Sequence, residues 1–297
     1  MIRLAVRVRR EQAEVVLAEL LDLSPAGVEE RQAGPDTIEY AVYGAPGELP
    51  SLPDLDAVVG EAIVEVSASE IADDWQERWK QFHRPVLVAP SGQGREFPAA
   101  PALHVRPPWE APHGGADVLE LVIDPGQAFG TGAHATTRLC LELMLELASG
   151  QRPAALLDVG TGSGVLAIAG ALLGFAPVLG LDNEAESVHA AAANARVNEV
   201  AVEARRFDLR TEQLPWIFEQ DDRARSLTVT ANLLRPLLLE LARALAPARA
   251  RPANLIAGGL LAAEADEIAC AFAEHAGLTE RARRLDGEWA ALWLAGA

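Results

Sequence analysis

Few folds accommodate the stretch Leu156-Leu157-Asp158-Val159-Gly160-Thr161-Gly162-Ser163-Gly164. Its apolar run closes on an acid, glycines follow on alternate positions, and the helix-forming Val165-Leu166-Ala167-Ile168-Ala169 begins at once. The pattern predicts a strand, a tight turn and a helix in direct succession. Glycine is needed where backbone takes positive φ or passes close to a ligand, and the first helical turn adds unpaired N–H groups beside it. A nucleotide-like ligand is the expected occupant, and a Gly-rich βα turn without a ligand is the plain alternative. The spacing separates ligand classes: a dinucleotide fingerprint, G-x-G-x-x-G, wants its third glycine at 165, where Val165 stands. About 20 residues on, the strand-like Val178-Leu179-Gly180-Leu181 ends at Asp182, an acid placed to accept hydrogen bonds from ribose hydroxyls.

Around this turn the chain alternates strands and helices. Helices are expected at 165–173, 184–198, 235–246 and 264–276, and strands at 177–181, 202–206, 227–231 and 253–258, the rhythm of a doubly wound α/β sheet. The ending differs, because Leu278–Leu285 and Glu288–Leu294 flank Asp286-Gly287, a two-residue hairpin signal that adds an antiparallel pair to a parallel sheet. The N-terminal stretch follows another plan. Ile2, Leu4, Val6 and Val8 alternate with polar residues as in a half-buried strand, a helix is expected over Glu11–Leu23, and strands are expected near Val28, at Ile38–Tyr43 and at Ala62–Val66, with a helix near Leu55–Val59. The order βαββαβ predicts a small ferredoxin-like α+β domain over residues 1–66. Residues 67–100 are expected to form a linker, with a helix over 69–84 carrying Trp75, Trp79 and Phe82 on one face, and residues 101–297 the ligand-binding domain.

Two further segments carry candidate chemistry. Strand Leu119–Asp124 runs into Pro125-Gly126-Gln127-Ala128-Phe129-Gly130-Thr131-Gly132-Ala133-His134, a Gly- and Thr-rich loop expected to fold over a ligand before the helix Arg138–Leu147. His134 alone is a weak acid–base candidate. Asn232 follows the strand Thr228–Ala231 at the carboxyl edge of the sheet, where ligands bind in such folds; it either orients a reacting group or caps the next helix.

A formal net charge of −18 argues against a protein that grips nucleic-acid backbone. Cys140 and Cys270 have no metal-ligand spacing and are expected to be small buried residues, and no metal is expected. No run reaches signal-peptide or membrane-span character, so a cytoplasmic, membrane-free protein is expected.

Together, Asp74-Trp75-Gln76-Glu77-Arg78-Trp79-Lys80, the Asp124-to-Gly132 loop, the Asp158-to-Gly164 turn and Ala231-Asn232-Leu233-Leu234 resemble the ribosomal protein L-eleven methyltransferase family over most of the chain. The loop is the most specific part, while the glycine turn marks only the class I methyltransferase superfamily. The resemblance implies a seven-stranded methyltransferase sheet with a C-terminal antiparallel hairpin and S-adenosylmethionine as cofactor. It also implies methylation of lysine ε-amino or N-terminal α-amino groups of that large-subunit ribosomal protein. By the same resemblance, cofactor contacts fall on Thr137, Gly160, Asp182 and Asn232, with Asn232 also at the reacting centre. Two positions depart from the family's pattern: Ala135, where Pro is common, and Asn183-Glu184 after Asp182, where an aspartate pair is usual. Competing readings are a methyltransferase for another protein or small amine, a non-catalytic cofactor-binding protein, and a nicotinamide oxidoreductase.

Overall fold

The computed structural model describes residues 2–13, 16, 29–34, 36–44, 63–70, 83–89, 101–125, 134–150, 154–215, 227–246 and 252–296. The chain divides into two compact units, Met1–Phe82 and His83–Ala297.

In the first unit, β1 (Ile2–Arg9), β2 (Glu29–Gly34), β3 (Thr37–Gly44) and β4 (Ile63–Glu70) form an antiparallel sheet ordered β2-β3-β1-β4, the arrangement expected of a ferredoxin-like unit. Period-two alternation puts Leu4, Val6, Val8, Ile38, Tyr40 and Val42 on one face, where they pack with Ala13 and Val16. On the other face, Glu39 is 2% exposed and accepts hydrogen bonds from Arg3, Arg7 and Arg31 at 2.7, 2.8 and 2.9 Å. The Arg3 guanidinium foremost, aided by Arg7 and Arg31 against the cost of burial, holds this carboxyl at about 2. Strand β4 runs farther than its apolar pattern suggests: Arg3 and Ile2 pair with Ser69 and Glu70, so Ser69 belongs to a strand and does not open a helix. The full length of β1 offers backbone partners that outweigh local sequence. Most of the Glu11–Leu23 helix, the helix near Leu55–Val59, and the aromatic segment with Trp75, Trp79 and Phe82 lie outside the described residues.

The second unit is built on a seven-stranded sheet. Its strands are β8 (Leu156–Val159), β9 (Val178–Asp182), β10 (Glu203–Arg206), β11 (Thr228–Asn232), β12 (Asn254–Leu261), β13 (Leu278–Asp286) and β14 (Trp289–Gly296), ordered β10-β9-β8-β11-β12-β14-β13. The first five in that order run parallel, and the β13–β14 hairpin joins antiparallel through β14. Helices α1 (Ala135–Gly150), α2 (Val165–Leu172), α3 (Ala185–Val197), α4 (Arg235–Leu245) and α5 (Ala265–Ala276) cover the sheet. Leu157, Val229, Leu241, Ile268 and Phe272 sit in one buried cluster, and Leu141, Met144, Leu156 and Ile168 in another. Strands β8, β9 and β11 are buried along nearly their whole length, as a parallel sheet covered on both faces requires. A small sheet of β5 (Val86–Val88), β6 (Ala102–Arg106) and β7 (Val118–Val122) adds Val88, Leu103, Val105 and Leu121 to the α1 side.

Cys140 is buried, but Cys270 is exposed. Helix α5 buries Ala265, Ile268, Phe272 and Ala276, a stripe at helical spacing from which position 270 points away. No helix among the described residues is long and apolar enough to cross a membrane, and no group of His, Cys, Asp or Glu among them has the makings of a metal site.

Candidate active site

The glycine turn stands at the carboxyl ends of β8 and β9. Gly160 and Thr161 N–H both donate to Leu181 O at 2.8 and 2.9 Å, and Gly160, Gly162 and Gly164 take φ of 77, 52 and 85°. Positive φ at three alternate positions explains the sequence, since only glycine adopts it without strain. Gly160 also faces Leu233: a Cβ there would lie 2.3 Å from Leu233 Cδ2. The turn and the segment after β11 are therefore in contact.

Asp182 ends β9 with its carboxylate turned to this turn. Oδ2 accepts from Gly162 N–H at 2.9 Å and Oδ1 from Glu184 N–H at 3.1 Å. Each carboxylate oxygen retains acceptor capacity, as recognition of a diol requires.

Asn232 ends β11 on the other side of the turn. Its Nδ2 donates to Thr137 Oγ1 in the first turn of α1 at 3.3 Å, bringing together two residues 95 positions apart. Thr137 is fully buried, so its hydroxyl orients the Asn232 amide. The Asn232 Oδ1 atom is buried and accepts no hydrogen bond among the described residues. An acceptor left unpaired in this way costs about 1–3 kcal/mol unless a donor arrives. Asn232 does not cap a helix: α4 begins at Arg235 with Leu234 as N-cap and no side-chain cap bond. Beside it, a Cβ on Gly258 would stand 2.4 Å from Cys140 Sγ and 3.1 Å from Asn232 Oδ1, and one on Gly259 would stand 2.6 Å from Leu233 O. The two glycines coincide with a register shift of β12 against β14, and they make the space the Asn232–Leu233 turn occupies.

Of the Gly- and Thr-rich loop, Gly126 to Ala133 lie outside the described residues. His134, at its end, has Nδ1 3.3 Å from Thr136 N–H and 2.9 Å from Thr136 Oγ1, with its ring edge-on to Trp289. It satisfies the opening turn of α1, the ordinary hydrogen-bonding role for such a histidine. Ala135 is the first residue of that helix, a position that accommodates Pro or Ala alike.

Asp158 faces inward. At 1% exposure it accepts from Thr230 Oγ1 at 2.7 Å and Thr161 Oγ1 at 2.8 Å, clamping β8, β11 and the turn together. Neither threonine stood out in the sequence, although Thr230, two residues before Asn232 on the same strand, shares its face. Burial pushes the Asp158 carboxyl up to about 6, against the opposing pull of the Thr230 and Thr161 hydroxyls. A carboxyl with a raised folded pKa contributes stability that is complete below its ordinary value near 3.8 and is lost as pH rises through about 6. Asp158→Asn is thus expected to be most destabilising near pH 4 and to regain about 2–3 kcal/mol relative to wild type by pH 8. Urea midpoints at the two pH values measure this, and a pH-independent difference counts against the buried-carboxylate account.

A family model described as Ribosomal protein L11 methyltransferase (PrmA) matches residues 56–295. A ribosomal protein L11 methyltransferase of Heliobacterium modesticaldum is 37% identical over 222 residues, covering 74% of this chain and 63% of that protein. One from Syntrophotalea carbinolica is 35% identical over 306 residues, covering 94% and 92%. The match thus spans less than two thirds of the first of these relatives and nearly all of the second. Among solved structures, a ribosomal protein L11 methylase from Lactobacillus delbrueckii subsp. bulgaricus superposes with a TM-score of 0.55 at 31% identity, covering 65% of this chain and 94% of that one. With the matched family model spanning the sheet, the glycine turn and the Asn232 segment, the chain belongs to the ribosomal protein L11 methyltransferase family.

Proposed function

We propose that the chain transfers methyl groups from S-adenosylmethionine to lysine ε-amino or N-terminal α-amino groups of ribosomal protein L11. The observation that carries the reading is the unpaired, buried Oδ1 of Asn232, held by Thr137 beside a glycine turn that faces Asp182. The residues fit the cofactor: Asp182 keeps acceptor capacity for ribose hydroxyls, the Gly160 turn closes against Leu233 next to Asn232, and Asn232 Oδ1 offers an acceptor to an ammonium or amine N–H.

S-adenosylmethionine supplies a methyl group already activated on a sulfonium, so the protein's task is to orient the amine and exclude water. The nucleophile has to be neutral, which at pH 7 costs about 1 kcal/mol for an α-amino and about 4.6 kcal/mol for a lysine ε-amino group. Asn232 Oδ1 aims an amine N–H, and with it the lone pair, but takes no proton away. The first unit, Met1–Phe82, is the recognition module in this reading, since every residue assigned to the cofactor belongs to the second. A net charge of −18 favours a basic protein substrate over nucleic acid, and the expected compartment is the cytoplasm.

Intact-mass analysis of purified L11 after incubation with the enzyme and isotopically labelled S-adenosylmethionine tests the reading. Mass gains in methyl steps support it; an unmodified L11 beside another methylated ribosomal protein redirects it to that substrate. Asp182→Ala is expected to weaken cofactor binding by about 1.5–3 kcal/mol, the worth of charge-assisted bonds to the ribose. Calorimetric titration measures this, and wild-type affinity in a folded variant removes Asp182 from the site.

A further inference from the structure

Among the described residues, strand β7 has a sheet neighbour on one edge, β6. Its other edge is met by side chains of α3 and the residue after it. Asn198 Oδ1 accepts from Val122 N–H at 2.8 Å, and its Nδ2 donates back to Val122 O at 2.7 Å. One helical turn earlier, Asn194 Oδ1 accepts from Asp124 N–H at 3.0 Å. Four helical residues rise about 6 Å and two extended residues about 6.6–6.8 Å, so an Asn pair at i and i+4 meets the last residue of β7 and the second residue beyond it.

The two amides differ in what else they hold. Asn198 Nδ2 gives its second bond to Asn194 O, within its own helix, at 2.8 Å. Asn194, 3% exposed, donates from Nδ2 to Ser163 O at 2.9 Å, inside the glycine turn. The N–H of that same peptide, on Gly164, donates to Thr161 O at 2.8 Å. A planar peptide bonded at both its oxygen and its N–H has its orientation fixed. Gly164 meanwhile lies so close to α3 that a Cβ on it would come 3.0 Å from Ala191 Cα, so the turn cannot move toward that helix.

We propose that Asn194 is a positioning residue for the cofactor turn: its one amide locks the Ser163–Gly164 peptide to the exit of β7 at Asp124, and so fixes where the backbone of the turn stands. The inference rests on the reading of that turn as the S-adenosylmethionine site. Asn198 is the internal control, since Asn198→Ala removes three side-chain bonds against two for Asn194→Ala, yet none of them reaches the turn.

The test measures melting temperature and calorimetric affinity for S-adenosylhomocysteine in the full-length wild type and both variants. Both melting temperatures fall. Asn194→Ala raises the dissociation constant about tenfold, while Asn198→Ala leaves it within about twofold. Wild-type affinity in Asn194→Ala, or an equal loss in both variants, overturns the inference and leaves the cofactor reading standing. A wild type that fails to bind the probe overturns both. Should Asn194→Ala not fold, Asn194→Ser, which keeps one hydroxyl for one of the two bonds, is held to the same criterion.

Discussion

Replacing Asn232 by alanine is expected to lower the single-turnover methylation rate about 100-fold while changing cofactor affinity by less than about tenfold. The reason is geometric. Nδ2 of the amide is committed to Thr137 Oγ1, Oδ1 is buried without a partner, and the empty face of Gly258 lets the side chain occupy its place. A group held so firmly with one acceptor unused is suited to orienting a nucleophile, and a displacement of about 1 Å at a reacting atom costs on the order of 100-fold. A structural role for Asn232 makes a different forecast. Since Leu234 and not Asn232 is the N-cap of α4, the only described bond lost is the one to Thr137, worth about 0.5–1.5 kcal/mol of stability. Melting temperature, cofactor affinity and single-turnover rate on one preparation separate these outcomes. A folded variant with an unchanged rate leaves Asn232 without a part in the chemistry.

What was legible in the sequence follows from what is local. The glycine turn could be read because three positive-φ positions in alternation leave a composition no ordinary turn needs, and the sheet because its strands and helices differ in period. The C-terminal hairpin announced itself through Asp286-Gly287, where Gly287 takes φ of 58°. What stayed hidden depends on register and on contacts far apart in the chain. The acid that closes the first strand, Asp158, gives no local sign of its direction; the pairing of β8 with β11 sets it opposite Thr230 and turns it inward. Asn194 sits in an Ala-rich helix, and nothing in its neighbours tells that Ser163 and Asp124 lie within reach of one amide. Gly258-Gly259 does carry a local signal, since paired glycines inside a strand pattern mark a bulge or a close approach of backbone.

Removing Met1–Phe82 is expected to leave cofactor affinity nearly unchanged and to lower kcat/KM on L11 by about 100-fold or more. Thr137, Gly160, Asp182 and Asn232 all belong to the unit that remains, and so do the residues that hold them: Asp158, Thr230, Asn194 and Gly258. Among the described residues, the clusters around the seven-stranded sheet draw on residues from Val86 onward, whereas the small sheet closes its own core with Leu4, Val6, Tyr40 and Val42. The cut therefore leaves the described clusters of the second unit whole. Under the recognition-module reading, the binding energy that brings a reactive amine to Asn232 comes from substrate contacts remote from that amine, and losing them penalises the protein substrate far more than a free amine. Comparing L11 with a short lysine-containing peptide on the full and truncated chains separates the two effects. Loss on L11 with an unchanged rate on the peptide supports a recognition unit; equal kcat/KM on L11 in both chains assigns substrate choice to the second unit; and lost cofactor binding means that the first unit completes the site.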